Sequence, residues 1–207
     1  AKLYCEPADC RGTQLLPLKG SDSGYEEGEV ILPEPFVNTY YYIKGIDAAL
    51  LFERVTGIEI PNRDILRERR ESSLRAMTDA YFDPATGSFC RGAGGADAFA
   101  LELSLGDGRL WDNLLSKYET LGVLDTGICG TPVLLGILFQ RGRGDLAVRL
   151  MTSPDGPSFE RMHRAGATTL WEYWNGIHSH CHPMFGACVR YLFEYILGVR
   201  QAEGTAG

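Results

Sequence analysis

Residues 109–152 read RLWDNLLSKYETL, GVLDTGICG, TPVLLGILFQ, RGRG and DLAVRLMT, three runs of helical length separated by short glycine-containing breaks. Gly122, Gly142 with Gly144, and then Pro154 with Gly156 close the runs. Glycine reaches the left-handed conformation that ends a helix and proline cannot continue one, so this spacing predicts stacked helical hairpins and not a sheet. The same rhythm extends upstream. A run from Ala96 to Leu105 stops at Gly106, and from Phe36 to Thr56 the residues Tyr40, Ile43, Ile46, Ala49, Leu50 and Val55 recur at mostly three- and four-residue spacing before Gly57. Another helix is expected from Asn62, as N-cap, through Ile65, Leu66, Leu74, Met77 and Ala80, ending before the turn Asp83-Pro84-Ala85-Thr86-Gly87. Downstream, a short helix is expected over Ser158 to Arg164 and a strong one over Pro183 to Leu197, with Met184, Phe185, Ala187, Cys188, Tyr191, Leu192, Tyr195 and Ile196 on a broad apolar face. The total is about eight helices and no strand beyond a couple of residues, an all-α class built of antiparallel hairpins.

Composition bounds what such a bundle does. The chain has 207 residues, 27 acidic against 20 basic side chains and 44% hydrophobic residues, values of a globular domain with a sizeable core. No window approaches the unbroken apolar length of a membrane span. A net charge of −7 argues against nucleic acid as a partner, because that binding relies on clustered Lys and Arg neutralising phosphates. Residues 1–35 are punctuated by Pro7, Gly12, Pro17, Gly20, Gly24, Gly28, Pro33 and Pro35 and read as an irregular segment; residues 36–199 form the helical unit; residues 200–207 read as a disordered tail. Cysteines at 5, 10, 90, 129, 181 and 188 never form a CxxC pair, so they are expected to be reduced and mostly buried, with Cys5 and Cys10 the one pair placed to bridge.

Chemistry concentrates between Gly166 and Gly186, which holds Trp171, Trp174, a single carboxylate, Glu172, and His178, His180 and His182. Flat apolar sugar faces pack on Trp and Tyr, and a carboxylate fenced by rings can serve as an acid or base. The competing reading makes Trp171 and Trp174 core residues at helical spacing and Glu172 a surface acid. The alternating histidines would share one face of an extended segment, which suggests a metal site. Against it, a fourth ligand would have to come from elsewhere and Pro183 breaks the segment. One histidine donating to a sugar hydroxyl is the preferred reading, with no metal and no cofactor. Cys181 beside His182 is a poor nucleophile pair, because neighbours in a strand point to opposite faces.

The stretch Gly166-Ala167-Thr168-Thr169-Leu170-Trp171-Glu172-Tyr173-Trp174-Asn175-Gly176 resembles the signature of the α-L-rhamnosidases with a six-hairpin, or (α/α)6, barrel. Those enzymes typically show Gly-Ala-Thr-Thr-Ile-Trp-Glu-Arg-Trp-Asp, followed by Asn-His-x-x-Phe-Gly at a helix start. Cys181-His182-Pro183-Met184-Phe185-Gly186 stands in that second place. Thr126 to Pro132, Leu134-Leu135, Arg143 to Ala147, Arg149-Leu150 and Glu34 to Asn38 also follow the family order. Three departures stand out: Tyr173 for Arg, Asn175 for Asp, and a shorter spacer from Asn175 to His182.

The resemblance implies an inverting hydrolase of terminal α-L-rhamnosyl linkages, with Glu172 as catalytic base and Trp171, Trp174 and His182 binding the sugar. Inversion needs a second carboxyl group ~6.5 to 9.5 Å away to protonate the leaving oxygen. The family's acid motif has no counterpart in residues 1–35, where Glu26, Glu27 and Glu29 stand in a Gly-flanked loop and fit that role poorly. A closed barrel takes about twelve helices, so the chain is expected to be the C-terminal part of one, inactive alone and self-associating through its uncovered face. A non-catalytic carbohydrate-binding fragment and a six-hairpin glycosidase of other sugar specificity are the competing functions.

Overall fold

The computed structural model describes residues 32–200. Its α-helices are α1 Glu34–Thr56, α2 Arg63–Tyr81, α3 Ala96–Glu102, α4 Arg109–Leu121, α5 Gly130–Gln140, α6 Gly144–Met151 and α7 Phe159–Arg164. A last helical segment winds in three ways, 3-10 over Pro183–Cys188, α over Val189–Tyr191 (α8) and π over Leu192–Ile196. A two-residue antiparallel pair, β1 Phe82–Asp83 with β2 Ser88–Phe89, closes the Asp83 to Gly87 turn. No described helix is long and apolar enough to cross a membrane.

Burial sorts the helices into two layers. α3 is buried from Ala96 to Leu101 and α5 at nearly every position, whereas α4 buries only Leu110, Leu114 and Tyr118 and α6 only Leu146, Ala147 and Leu150. A helix buried all round lies between others, and one with a single apolar stripe has water on its far side. The order is therefore inner α1, outer α2, inner α3, outer α4, inner α5, outer α6, the alternation of helical hairpins. The glycine stops act as expected: Gly57 and Gly122 cap α1 and α4 at φ 72° and 69°, donating to Glu53 O and Tyr118 O. Rings join the inner layer, with Tyr40 and Phe36 of α1 edge-on to Phe99 of α3 at 4.7 and 6.0 Å.

Connections running from an inner to an outer helix are short, over 57–62, 103–108 and 141–143. The longer segments 82–95, 122–129 and 165–182 gather at the opposite end, where α1, α3, α5 and the last segment begin. Contacts fix this: Gly130 backs onto Thr126 and Gly94 O, and Trp174 Nε1 donates to Thr126 O at 2.8 Å. Longer loops at one end of a helical scaffold are where binding residues can collect.

Local expectations differ in three places. Asn62 precedes α2 but sits in the left-handed region at φ 61° with no side-chain cap, its carbonyl accepting from Leu66 N instead. The last segment is not one uniform α-helix. Of its expected apolar face only Phe185 and Cys188 are buried; Met184, Ala187 and Ile196 are exposed, and so are Phe193 and Leu197 beside them. Among described cysteines all are free, with Cys129 and Cys188 buried, Cys90 intermediate and Cys181 exposed. Cys5, Cys10, the three glutamates at 26, 27 and 29, most of the irregular segment and nearly all of the tail lie outside the described residues.

Candidate active site

Residues 165–182 form a loop that folds back on itself. His182 N donates to Leu170 O at 2.7 Å, Glu172 N donates to Ser179 O at 2.8 Å, and Thr169 Oγ1 donates to His180 O. At the tip, Gly176 N donates to Tyr173 O and the Asn175 side-chain oxygen accepts from Ile177 N at 3.0 Å, a local Asx turn. Asn provides the same oxygen as Asp, so the departure at 175 leaves the turn intact. Gly176 has φ 77°, and a Cβ there would meet the Trp171 ring at 3.0 Å, so both backbone and space call for glycine.

This frame presents Glu172. Its Oε2 accepts from Ser179 N at 3.3 Å while its own N–H holds Ser179 O, a reciprocal link that fixes backbone and carboxylate together. His182 Nδ1 lies 3.8 Å from the same Oε2, with the two side chains 25% and 20% exposed: sheltered, yet open at the surface. His182 Nε2 is shielded from solvent and has no hydrogen-bond partner among the described residues. A polar atom so placed is one a ligand hydroxyl would satisfy.

The two tryptophans part company. Trp171 is half-buried, stacked on the His180 ring at 4.8 Å. Trp174 is only 4% exposed, its ring 4.2 Å from Phe185 and edge-on to Phe159 at 5.3 Å, with its N–H spent on Thr126 O. Trp171 can offer an apolar wall beside Glu172; Trp174 anchors the loop from beneath. Tyr173, standing where the family has Arg, is buried against His178 at 5.0 Å, and burial, then the nearby Glu172 charge, push its phenol up from the ordinary value. No guanidinium therefore neighbours Glu172 from that position.

The histidines do not converge. His178 has φ 67°, which breaks the extended alternation, and it packs on Tyr173; His180 stacks on Trp171 with Nε2 2.7 Å from Gly176 O; only His182 faces Glu172. Among the described residues no group of three His, Cys, Asp or Glu side chains is arranged to hold a metal. Sequence reasoning missed Ser179 and Thr126, which fix the carboxylate and the loop. Both act through backbone atoms, which residue type does not reveal.

Residues 24–196 match the model of the bacterial alpha-L-rhamnosidase 6 hairpin glycosidase domain. An alpha-L-rhamnosidase of Alteromonas sp. (strain LOR) is 38% identical over 88 residues, 37% of this chain and 10% of the relative. One from Streptomyces avermitilis is 34% identical over 95 residues, 41% of this chain and 9% of the relative. In structure, the chain is similar to Streptomyces avermitilis alpha-L-rhamnosidase complexed with L-rhamnose, with TM-score 0.73 at 24% identity over 84% of this chain and 18% of that one. It is also similar to alpha-L-rhamnosidase from Dictyoglumus thermophilum, with TM-score 0.70 at 22% identity over 88% of this chain and 22% of that one. The aligned region is thus a small part of those relatives' length, and the structural likeness is one of fold, an arc of antiparallel hairpins from a six-hairpin toroid. With a family match that runs from before α1 to the end of the last helical segment, the chain belongs to the bacterial α-L-rhamnosidase six-hairpin glycosidase domain family.

Proposed function

We propose that this chain supplies the general-base side of the active site of an inverting α-L-rhamnosidase. The observation that carries this is the Glu172 carboxylate, held through Ser179 and facing His182, at the end of the bundle where the inner helices begin. Glu172 takes a proton from a water as its oxygen attacks the anomeric carbon; the bond to the leaving oxygen breaks, and that oxygen takes its proton from an acid lying outside the described residues. Trp171 walls the slot on the side of the sugar's methyl group, and His182 donates to a ring hydroxyl. Trp174 contributes by holding the loop, since its ring and N–H are already engaged in the core.

The test is hydrolysis of an aryl α-L-rhamnoside by the 207-residue chain and by the full-length gene product, with the anomer released followed by NMR. Glu172→Gln keeps an acceptor for Ser179 N but not the base, so kcat falls by ~10² to 10⁴ while KM changes little. His182→Ala weakens substrate and transition state together, so KM rises more than kcat falls. The chain alone is expected not to turn over. Near-normal kcat in Glu172→Gln would remove Glu172 as base. Rhamnose binding by a full-length product that never hydrolyses would favour the carbohydrate-binding reading.

A further inference from the structure

Two threonines, Thr126 and Thr131, lie fully buried around the start of α5. Their hydroxyl oxygens are 2.8 Å apart, and Thr131 Oγ1 also lies 3.1 Å from Thr126 O. A hydroxyl has one proton to give, which fixes the direction of each bond. A carbonyl cannot donate, so Thr131 gives its proton to Thr126 O and the proton between the two hydroxyls comes from Thr126. The same carbonyl accepts from Trp174 Nε1 at 2.8 Å. Thr131 thus holds Thr126 by hydroxyl and carbonyl at once, and that carbonyl's two lone pairs are shared between α5 and the Glu172 loop.

Valine would fill the same space at either position without burying a hydroxyl, so packing does not call for the polar residue. What the hydroxyls provide is orientation. Thr131 stands in the first turn of α5, the helix buried at nearly every position, and its N–H donates to Gly127 O at 2.9 Å. Thr126 is confined as well: a Cβ at Gly95 would fall 2.7 Å from its Cγ2, and one at Gly130 would fall 3.1 Å from its Cβ. Trp174 is therefore tied to a rigid frame, and it follows Glu172 closely in the chain. The Glu172 carboxylate accepts from Ser179 N at 3.3 Å, a long bond, so its aim follows the backbone that carries it. That backbone is held on one side where His182 N donates to Leu170 O and on the other where Trp174 donates to Thr126 O. Releasing one side lets residues 172–174 drift, and ~1 Å of misplacement at a reacting group costs ~10²-fold in rate.

We infer that Thr131 is a positioning residue for the Glu172 base, acting through the Thr126 carbonyl and the Trp174 indole. This deepens the proposed function and rests on it for the reaction, so one readout is independent of turnover. The 207-residue chain is isotopically labelled at its tryptophan indole nitrogens, and the Trp174 N–H is identified by its loss in Trp174→Phe. Its exchange with solvent should be about tenfold faster or more in Thr131→Val than in wild type, and Thr131→Ser should keep it slow. In the full-length gene product, Thr131→Val should lower kcat on an aryl α-L-rhamnoside about tenfold or more with KM within about threefold. Thr131→Ser keeps the hydroxyl and should stay within about threefold of wild type in both. Thr126→Val leaves the carbonyl and its Thr131 donor in place, so it should lose less kcat than Thr131→Val. Leu146→Ala, at a fully buried position of outer α6, is the stability control and should lower Tm at least as far with kcat unchanged below Tm. Unchanged indole exchange, a wild-type kcat in Thr131→Val, failure of Thr131→Ser to restore it, or an equal loss of kcat in Leu146→Ala would each overturn the inference. Near-normal kcat in Glu172→Gln, or no turnover by the wild-type gene product, would instead overturn the base reading, and this role with it.

Discussion

Trp174→Phe separates a sugar platform from a core anchor. The substitution removes the N–H that Thr126 O accepts at 2.8 Å. That oxygen still accepts from Thr131 Oγ1 at 3.1 Å, so it is not orphaned and the loss is about 1 kcal/mol. Phenylalanine refills most of the space against Phe185 and Phe159, leaving a gap that costs about 1 kcal/mol more. Together about 2 kcal/mol lowers Tm by about 4 to 8 °C for a domain of this size, and Trp174→Ala, at about 3 to 5 kcal/mol, lowers it further. Differential scanning calorimetry of the chain reads the shift, and aryl rhamnoside kinetics of the full-length gene product, well below Tm, read the function. KM should stay within about twofold in Trp174→Phe, since the ring is covered on both sides. A tenfold rise in KM with an unchanged Tm would refute this and put the ring in the sugar slot.

Burial holds the buried Asp97 carboxyl above its usual range, against the Phe89 N–H, Ser88 and Lys117. The folded value lies above the unfolded one near 3.8, so its stabilising contribution is complete below that pH and is lost as pH rises through the folded value. Denaturant unfolding should therefore show wild type gaining on Asp97→Asn as pH falls from 7 toward 4; parallel curves would sink the assignment. Among the described cysteines, thiol labelling followed by mass spectrometry should modify exposed Cys181 first, and reach Cys90 and Cys188, whose thiols burial pushes up to about 12, only after unfolding. Leu51, Phe52, Val55 and Ile58 near the end of α1, and Phe193, Ile196, Leu197 and Val199 near the other end of the arc, are exposed apolar residues, so the chain alone should dimerise in light scattering and Phe52→Glu with Leu197→Glu should weaken it. A monodisperse monomer at high concentration would contradict this.

The hairpin arrangement was legible because helix period and glycine stops are local: Gly57 and Gly122 reach positive φ wherever the rest of the chain lies. The last helix was legible as apolar but not as 3-10, α and π in turn, since residue periodicity does not say which carbonyl each N–H finds. Its winding answers to neighbours. Tyr191 and Tyr195 both stack on Phe139, and the Tyr191 hydroxyl lies so close to Gly136 that a Cβ there would fall 2.4 Å from it.

The sequence by itself determined the family motif and the single acid within it, because residue types at short spacing and in a known order carry that information; that His182 comes within 3.8 Å of Glu172 was decided by the folding of the loop. Tertiary structure decided which tryptophan faces the core, since Thr126, Phe159 and Phe185 come from distant segments. It also scattered the three histidines, because one left-handed residue at His178 undoes an alternation that assumes an extended chain. Burial and convergence are properties of pairs far apart in the chain, and no local pattern encodes them.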